Sequence, residues 1–405
     1  MREDRSLHIL MLAPTSFFGD YGCHVRIVEE ARYLQQNGQQ VTICTYQNGR
    51  DLPDLDIRRT ISLPWRGDYE VGSSRHKIAL DALLAIRALG LRKLRPDILH
   101  CHLHEGALIG AALARLWRVP YLFDFQGSMT AEMLDHHFLR ADGPMARLAW
   151  HTERFIDRLA PSILISTAQA RDLLVERFGC TSERIVHAPD CVNTDAFAPA
   201  KRDAAWQAAR DRWGIPAGRS VLVYLGLLAD YQGTDHLLQA VAVLVAQGHN
   251  VHLLLGGYPH IEQYLRLAQG LGIAERVTLA GRICYEDAPA FLGLGDIAMA
   301  PKLSATEGAG KILNYMAVGL PVVAYDTAAS REYLGNWGVY AERGNALALA
   351  AETAGLLASP ERQRAITAAL RRRAVEQYGW DHTGQTILGT YSALLGLQPQ
   401  SSRSA

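Results

Sequence analysis

The sequence lacks the long apolar runs and the excess charge of one sign that mark several classes of protein. Its apolar runs, such as ILMLA and VLVYLGLLA, are far shorter than the ~20 residues of a membrane span. Lysine plus arginine equals aspartate plus glutamate at 41 each, so no overall charge favours nucleic acid. The N-terminus has no small-residue cleavage site after an apolar segment, so we expect no secretory signal and a cytoplasmic protein.

The sequence also lacks a Cys-x-x-Cys pair. Six scattered cysteines in a chain of this length indicate reduced thiols rather than a disulfide framework. The stretch HCHLHE suggests zinc, but it alternates like a strand, which would send His100, His102 and His104 to one face and Cys101 to the other. No further ligand follows at a recognisable spacing, so we favour buried or pocket-lining histidines and expect no metal.

Strand-like and helix-like segments alternate along most of the 405 residues, too many for one ordinary core. The alternation is typical of mostly parallel sheets covered by helices on both faces. It breaks at a polar, proline-bearing stretch from Ala188 to Ala204 and then restarts, which indicates a link between two domains. We predict an α/β fold with two facing, doubly wound Rossmann-like domains at residues 1–195 and 196–377, and a disordered tail at 397–405.

Ten segments are predicted as strands: LHILMLAP, QVTICTY, DILHCH, VPYLFDF and SILISTA, then SVLVYLG, NVHLLLGG, RVTLAG, DIAMAP and PVVAYD. Open sheets of this kind bind ligands beyond the carboxyl ends of their strands. The loops that follow strands therefore predict one cleft between the domains, lined by residues 14–22, 102–106, 124–132, 226–233, 256–260 and 302–311.

The stretch SATEGAGKILNYMAVGLPVVAYD, from Ser304 to Asp326, is similar at its start to a phosphate-binding P-loop. That motif needs a glycine five residues before its Gly-Lys pair and a serine or threonine after the lysine to hold magnesium. Ala305 and Ile312 occupy those two positions. The sequence therefore disfavours a nucleotide triphosphatase.

Taken in order, several stretches resemble the GT-B glycosyltransferases of the retaining family 4 type. They are PTSFFGDYGCHVRIVEEARYLQQNGQQVTI, PDILHCHLHEGALIG, APDCVNTDAFAP, GAGKILNYMAVGLPVVAYD and YGWDHTGQTILGTYSALL. The resemblance covers nearly the whole chain, and the combination is specific although no one piece is. It implies that a final helix, at about residues 378–396, crosses back to the first domain.

The resemblance implies a site for the diphosphate of a UDP- or GDP-sugar, at the helix that starts near Gly310. Gly308 and Gly310 would let the backbone approach the ligand closely. Glu307 would contact the hydroxyl groups of the transferred sugar, with complementarity to the helix terminus as the alternative role. The implied donor-binding residues are Gly22, Leu227, Gln232, Arg282, Lys302, Gly308, Ala309, Gly310, Lys311, Ile312 and Asn314.

Four positions depart from the family pattern. Asn314 stands where a second glutamate usually holds both ribose hydroxyls. Leu227 and Gln232 stand where an arginine and a lysine usually contact the diphosphate. Gln126 replaces a histidine often found near the reacting sugar. The catalytic residues expected from the resemblance are Glu307, His104 and Gln126.

Two nearby lysines offer replacement charge. Lys302 follows the DIAMAP strand, and Lys311 lies in the first turn of the next helix, three residues before Asn314 and so on the same helical face. We hypothesise that Lys302 and Lys311 supply the diphosphate-binding charge that Leu227 and Gln232 do not. The alternative is that either lysine extends from the surface into solvent.

On the acceptor side, the glycine-bearing loop FFGDYGCH and two strand ends supply the expected polar contacts. The acceptor-binding candidates are Asp20, Tyr21, His24, Glu105 and Asp124. His136 and His137 could act as acid-base groups, but a surface pair is the simpler interpretation.

The family is thought to displace the donor diphosphate from the face that the acceptor attacks, so no strong protein nucleophile is required. We see no Asp-x-Asp motif at a strand end and expect metal-independent transfer to a glycan, lipid or small-molecule acceptor, with no cofactor. The departures leave a second possibility, a nucleotide-sugar-binding protein that kept the fold and lost turnover. The segment from Arg75 to Asp97 has basic residues beside apolar ones, which fits either peripheral membrane contact or a core helix with a basic edge.

Overall fold

The computed structural model of the chain describes residues 6–20, 22–62, 77–135, 138–304 and 308–397. Two parallel sheets organise these residues. The first has seven strands in the order β3-β2-β1-β4-β5-β6-β7. Its strands are β1 (His8–Ala13), β2 (Gln40–Thr45), β3 (Asp56–Arg59), β4 (Ile98–His102), β5 (Tyr121–Phe125), β6 (Ile163–Ile165) and β7 (Ile185–His187).

The second sheet has six strands in the order β10-β9-β8-β11-β12-β13. Its strands are β8 (Ser220–Leu225), β9 (Val251–Gly256), β10 (Val277–Gly281), β11 (Ile297–Ala300), β12 (Val322–Tyr325) and β13 (Val339–Ala341). Neighbouring strands pair in parallel in both sheets, as at Ile9 with Val41 and at Val221 with His252. The doubly wound α/β architecture predicted from the sequence is confirmed.

Helices cover both sheets. Those of the first half are α1 (Gly22–Gln36), α2 (Lys77–Leu89), α3 (Leu103–Trp117), α4 (Met129–Asp135), α5 (Pro144–Leu159) and α6 (Ala168–Asp172). Those that follow are α7 (Ala204–Arg212), α8 (Thr234–Ala246), α9 (Ile261–Gly270), α10 (Ala288–Leu292), α11 (Lys311–Ala317), α12 (Ala328–Leu334), α13 (Ala346–Leu357), α14 (Pro360–Gln377) and α15 (Trp380–Leu394). Among the described residues, no helix is long and apolar enough to cross a membrane.

The central strands form because their residues are apolar on both faces. All six residues of β9 are buried, as are five of the six in β1, and a parallel sheet with helices on both sides buries both faces of each strand. Alternate residues of β1 face different cores: Ile9 and Met11 pack with α1, whereas Leu10 and Leu12 pack with α2 and α3.

The last helix, α15, packs on α1 of the first sheet. Gly384 allows this approach, because a Cβ at that position would lie 2.0 Å from the ring of Tyr33. Further along α15, Tyr391 Oη lies 2.6 Å from Nδ1 of His100 on β4. The domain boundaries at residues 195 and 377 stay predictions; the two sheets themselves occupy residues 8–187 and 220–341.

The alternating histidine pattern continues beyond the strand that carries it. The alternating pattern around His104 suggested a strand that carries three histidines on one face, but β4 ends at His102 and α3 begins at Leu103. His100 and His102 do lie on one face, with ring centroids 4.4 Å apart. His104 instead belongs to the first turn of a helix, and its side chain enters a different cluster.

Candidate functional site

A cleft of about 350 Å³ lies between the two halves. Its walls are the loops that follow β1, β4, β5, β8, β9 and β11, together with residues of the connecting segment. In each sheet the strand order reverses beside the first strand, at β1–β4 and at β8–β11, and ligands bind such sheets at these switch points. The position of the cleft therefore follows from the topology.

Arg26, on α1, is the central cation of the first half. Its guanidinium donates hydrogen bonds to Asp124 at 2.9–3.2 Å and to Asp190 at 2.9 Å, and it lies 3.1 Å from Glu30. Arg26 lines the cleft and is nearly buried. Burial opposes its charge, but the three carboxylates outweigh that effect and raise the pKa of Arg26. Burial beside other carboxylates raises the pKa of Glu30, whereas Arg26 and the histidines lower that of Asp124 despite its burial.

Asp190 joins the two halves. It accepts a hydrogen bond from Arg26 on the first half and one of 3.0 Å from the Tyr333 hydroxyl on the second. Its Oδ2 also lies against the glycine turn before α11, where a Cβ on Gly308 would be 2.9 Å away. The glycine is therefore required by the close approach of this carboxylate.

Lys311 extends from α11 to the loop after β8. Its Nζ donates to the Tyr224 hydroxyl at 2.9 Å and to Gln232 Oε1 at 2.7 Å, and it lies 4.4 Å from the centre of the Tyr224 ring. A Cβ on Gly226 would lie 2.7 Å from this Nζ. The ammonium thus occupies the loop in which Leu227 and Gln232 were predicted to lack charge.

Lys302 lines the cleft on the same side and is only 8% exposed. Its Nζ donates to the carbonyl oxygen of Gly308 at 2.8 Å. Burial of an ammonium at a cleft wall is inconsistent with a side chain that extends freely into solvent, which was the alternative for both lysines. The predicted donor residues that line the cleft are Gly22, Leu227, Gln232, Lys302, Gly308, Ala309, Gly310, Lys311 and Asn314.

Two predicted donor residues lie elsewhere. Ile312 is fully buried in the core beneath α11 and does not reach the cleft, because its helical position faces the sheet. Arg282 does not line the cleft; it binds Asp20 at 2.8 Å.

Asp20 lines the cleft and connects the halves. Its carboxylate accepts hydrogen bonds from Arg50 at 2.9 Å, from Arg282 at 2.8 Å and from the backbone amide of Tyr285 at 3.0 Å. Burial alone would raise the pKa of Asp20, but the amide and the two arginines outweigh burial and lower it. Asp20 is therefore an ionised residue that is already bonded on several sides.

His104 is buried between two carboxylates of α5. Its Nε2 lies 3.2 Å from Asp157 and 3.5 Å from Glu153. Burial opposes protonation, but these acids outweigh it and raise the pKa of His104 to about 9. His104 borders the cleft although it is only 2% exposed. Its neighbour Glu105 lines the cleft and forms an ion pair with Lys77, which lowers the Glu105 pKa in spite of burial.

Gln126, at the position of the family's histidine, lines the cleft. Its Nε2 donates to Asp124 Oδ2 at 2.6 Å and lies 3.2 Å from Nδ1 of His102. These contacts orient the amide. Its buried Oε1 has no hydrogen-bond partner among the residues that the structure describes.

Two predicted acceptor residues are not at the cleft surface. Asp124 is fully buried and binds Arg26, because β5 turns its side chain inward. His24 is also fully buried; it lies 2.5 Å from the Thr15 hydroxyl and accepts from the amide of Gly19 at 2.6 Å. Burial lowers the pKa of His24 to about 3, so it is neutral. Both residues support loops that line the cleft and do not line it themselves.

Some predicted residues lie outside the described part of the chain. They are Tyr21, His136, His137 and Glu307.

Two buried side-chain groups have the composition of metal sites within the described ranges. One consists of Glu30, His100, His102 and Asp124, and the other of His104, Glu153 and Asp157. In the first, Arg26 contacts both carboxylates, and in the second His104 lies between the acids. Each group therefore has an internal cation.

The sequence analysis missed three residues that line the cleft, namely Arg26, Lys77 and Asp190. It also missed the buried Tyr224, which contacts the Lys311 ammonium. The spacing of Arg26 and Glu30 is visible in the sequence, but an i,i+4 pair is ordinarily a surface feature. Asp190 lies in the stretch that was identified only as a link.

The chain matches two sequence families, one in each half. Residues 21–191 match the glycosyl transferase 4-like domain, and residues 219–359 match glycosyl transferases group 1. The D-inositol 3-phosphate glycosyltransferase of Thermobispora bispora is 26% identical over 397 residues, which cover 92% of this chain and 90% of that protein.

Solved structures agree in fold. The sucrose-phosphate synthase of Thermosynechococcus elongatus superposes with a TM-score of 0.80 at 18% identity, with 97% of this chain and all of that chain covered. Anabaena Alr3699/HepE, solved in complex with UDP-glucose, gives a TM-score of 0.77 at 14% identity, with 96% and 100% covered. These structures show the GT-B fold, and the two family matches, one in each half, show that the chain belongs to the glycosyltransferases of the family 4 type.

Proposed function

We propose that the chain is a retaining, metal-independent glycosyltransferase. It moves a sugar from a UDP- or GDP-sugar to a hydroxyl group of a glycan, lipid or small-molecule acceptor. The observation that carries the proposal is the position of Lys311, whose ammonium lies beside Gly226 and Gln232 in the loop after β8. A cation from a different element thus lies in the loop in which Leu227 and Gln232 themselves carry no charge.

Lys302 and Lys311 would together balance the charge of the donor diphosphate. Both line the same wall of the cleft, and both are oriented by hydrogen bonds to neutral groups, including the Gly308 carbonyl, the Tyr224 hydroxyl and the Gln232 amide oxygen. The UDP-glucose bound by Alr3699/HepE supports a donor of this class.

Transfer would rely on positioning and on charge stabilisation at the leaving group. As the bond from the sugar to the diphosphate breaks, negative charge grows on the diphosphate oxygen, and cations that are already oriented stabilise it without reorganisation. The leaving oxygen would then accept the proton of the acceptor hydroxyl on the same face of the sugar. Gln126 would orient the sugar, because Asp124 orients its amide and its Oε1 has no hydrogen-bond partner within the described residues.

A panel of UDP- and GDP-sugars tests the proposal by thermal shift and by hydrolysis of the donor. We expect one donor to raise the melting temperature and to be hydrolysed slowly in the absence of acceptor. Lys302→Met should weaken the binding of that donor. Lys201→Met should leave the binding unchanged, because Lys201 is exposed and does not line the cleft. A donor that binds and is never hydrolysed would indicate a binding protein, and a panel in which none binds would contradict the proposal.

A further inference from the structure

Two histidines and a glutamate meet in the interior of the first half. His100 and His102 lie on one face of β4, and Glu30 lies on α1. Oε2 of Glu30 is 3.7 Å from Nε2 of His100 and 3.9 Å from Nε2 of His102. All three side chains are fully buried. The three atoms therefore converge from two elements on one point inside the fold.

None of these three atoms has a hydrogen-bond partner among the residues that the structure describes. Buried polar atoms are nearly always paired, because an unpaired atom still carries the cost of leaving water. Separations of 3.7 and 3.9 Å are too long for hydrogen bonds between the glutamate and the imidazoles. They are close to the distance of about 3.3 Å that separates two nitrogen or oxygen ligands of one tetrahedral zinc ion. A cation between the three atoms would bond all of them.

The other nitrogen of each imidazole already has a partner. Nδ1 of His102 lies 3.0 Å from Oδ2 of Asp124. Arg26 keeps Asp124 ionised, so this carboxylate can only accept, and the ring proton of His102 is on Nδ1. Nδ1 of His100 lies 2.6 Å from the Tyr391 hydroxyl, which can accept its proton in the same way. Such partners are typical of histidines that bind a metal through Nε2, because they fix the ring and its tautomer.

The charge of the cluster favours a divalent cation. Three carboxylates contact one guanidinium, that of Arg26. They belong to Glu30, Asp124 and Asp190. A neutral imidazole adds no charge, so three carboxylates against one guanidinium leave an excess of two negative charges. Arg26 approaches Oε1 of Glu30, at 3.1 Å, and leaves Oε2 directed to the histidines.

We propose that Glu30, His100 and His102 bind one Zn²⁺ ion. Two imidazoles and a carboxylate are ligands that zinc accepts readily, and a water molecule would complete its usual four positions. Zinc binding contradicts the expectation from the sequence that no metal is held. The HCHLHE stretch could not reveal the third ligand, because Glu30 comes from a helix much earlier in the chain.

The ion would have a structural role. It would join α1 to β4 and, through the contact of His100 with Tyr391, would also fix α15 on the first half. None of its three ligands lines the cleft, so the ion takes no part in the proposed transfer reaction and does not depend on it.

The cleft provides a route for the ion. Arg26 and Gln126 line the cleft, and both contact the cluster. Arg26 contacts Glu30, and Gln126 donates to Asp124 at 2.6 Å. These two side chains thus separate the zinc position from the cleft, and their displacement would admit the metal.

The zinc content of the full chain tests the proposal. The protein is saturated with zinc chloride, dialysed against metal-free buffer and measured by inductively coupled plasma mass spectrometry. We expect one zinc ion to remain per chain. We also expect a higher melting temperature than that of the chain stripped with EDTA, because an ion that binds only the folded state stabilises it.

Variants locate the ion, and competition with a fluorescent chelator measures its Kd. Glu30→Gln and His102→Asn should each raise the Kd for zinc at least about a hundredfold, and Tyr391→Phe, which removes only a partner of a ligand, about tenfold. His104→Gln is the matched control. It removes another buried histidine that lies beside two acids, in the separate group with Glu153 and Asp157, and it should retain the ion.

Melting curves verify that each variant is folded. X-ray absorption at the zinc edge of the unmodified chain needs no variant, and we expect it to show two imidazoles with oxygen ligands. Sulfur ligands, zinc that the folded Glu30→Gln and His102→Asn variants retain, or zinc that only His104→Gln loses would each overturn the proposal. An unmodified chain that retains no zinc would also overturn it and would assign a water molecule to the three converging atoms.

Discussion

Removal of the Lys311 ammonium is the sharpest perturbation of the proposed donor site. In Lys311→Met the side chain keeps most of its length and its packing on α11, but the cation beside Tyr224 and Gln232 is lost. A hydrogen bond to a charged group contributes about 1.5–3 kcal/mol. The Kd of the nucleotide-sugar should therefore rise about 10- to 150-fold.

Isothermal titration calorimetry of the donor selected by the panel measures this change. Folding should tolerate the change, because methionine keeps the packing of the side chain and the Tyr224 hydroxyl still donates to the carbonyl oxygen of Leu227 at 2.7 Å. A melting curve of the variant checks this. Lys201→Met controls for the loss of one positive charge far from the cleft. A folded Lys311→Met variant with unchanged donor affinity would refute the reasoning.

A charge swap strengthens the test. Since Lys311 Nζ lies 2.7 Å from Gln232 Oε1, the double variant Lys311→Gln, Gln232→Lys returns an ammonium to nearly the same point from the other side. We expect it to recover most of the affinity that Lys311→Gln alone loses. Recovery would show that the charge matters and not the lysine side chain as such.

Three further predictions concern stability. Gly384→Ala places a Cβ against the Tyr33 ring, so the free energy of unfolding measured with urea should fall by about 1–3 kcal/mol. An unchanged urea midpoint would argue against the packing of α15 on α1. Arg26→Met leaves the buried carboxylates without their cation and should lower the free energy of unfolding by about 3–5 kcal/mol in the same assay. Arg212→Met, which removes an exposed arginine, is the control, and a smaller loss in Arg26→Met than in this control would contradict the prediction. Because the pKa of His104 is raised from 6.5 to about 9 in the folded state, the protonated imidazole stabilises the fold fully below pH 6.5. This stabilisation is lost as the pH rises through 9. The free energy of unfolding should thus fall by roughly 3 kcal/mol between these values, and His104→Gln, measured over the same range, should lack that fall.

The sequence predicted the long central strands because continuous apolar runs bounded by turns leave few alternatives. It missed β3, β7 and β13, which have three or four residues each and lie at or near sheet edges. β3 reads DIRR, a charged segment with no apolar pattern to reveal it. Such strands form because a neighbouring strand offers hydrogen bonds, and that information is not local.

Residues of the cleft that lie close together in the sequence were predicted. Contacts between residues far apart in the sequence were not. The cleft lysines were found because both follow β11 along the chain. The contact of Lys311 with Gln232 spans 79 positions and could not be read from spacing. Likewise, Arg26 reaches Asp190 across 164 positions, so its role as a buried cation depends on the tertiary fold.

Proton NMR of donor hydrolysis tests the central claim most directly. The donor identified by the panel is incubated with the protein, and the anomeric proton of the first sugar released is followed together with the nucleoside diphosphate. The account predicts release of the diphosphate with a sugar of the same anomeric configuration as in the donor, and little release by Lys311→Met at the same donor concentration. A sugar of inverted configuration, or a donor that stays intact with and without acceptor, would contradict it.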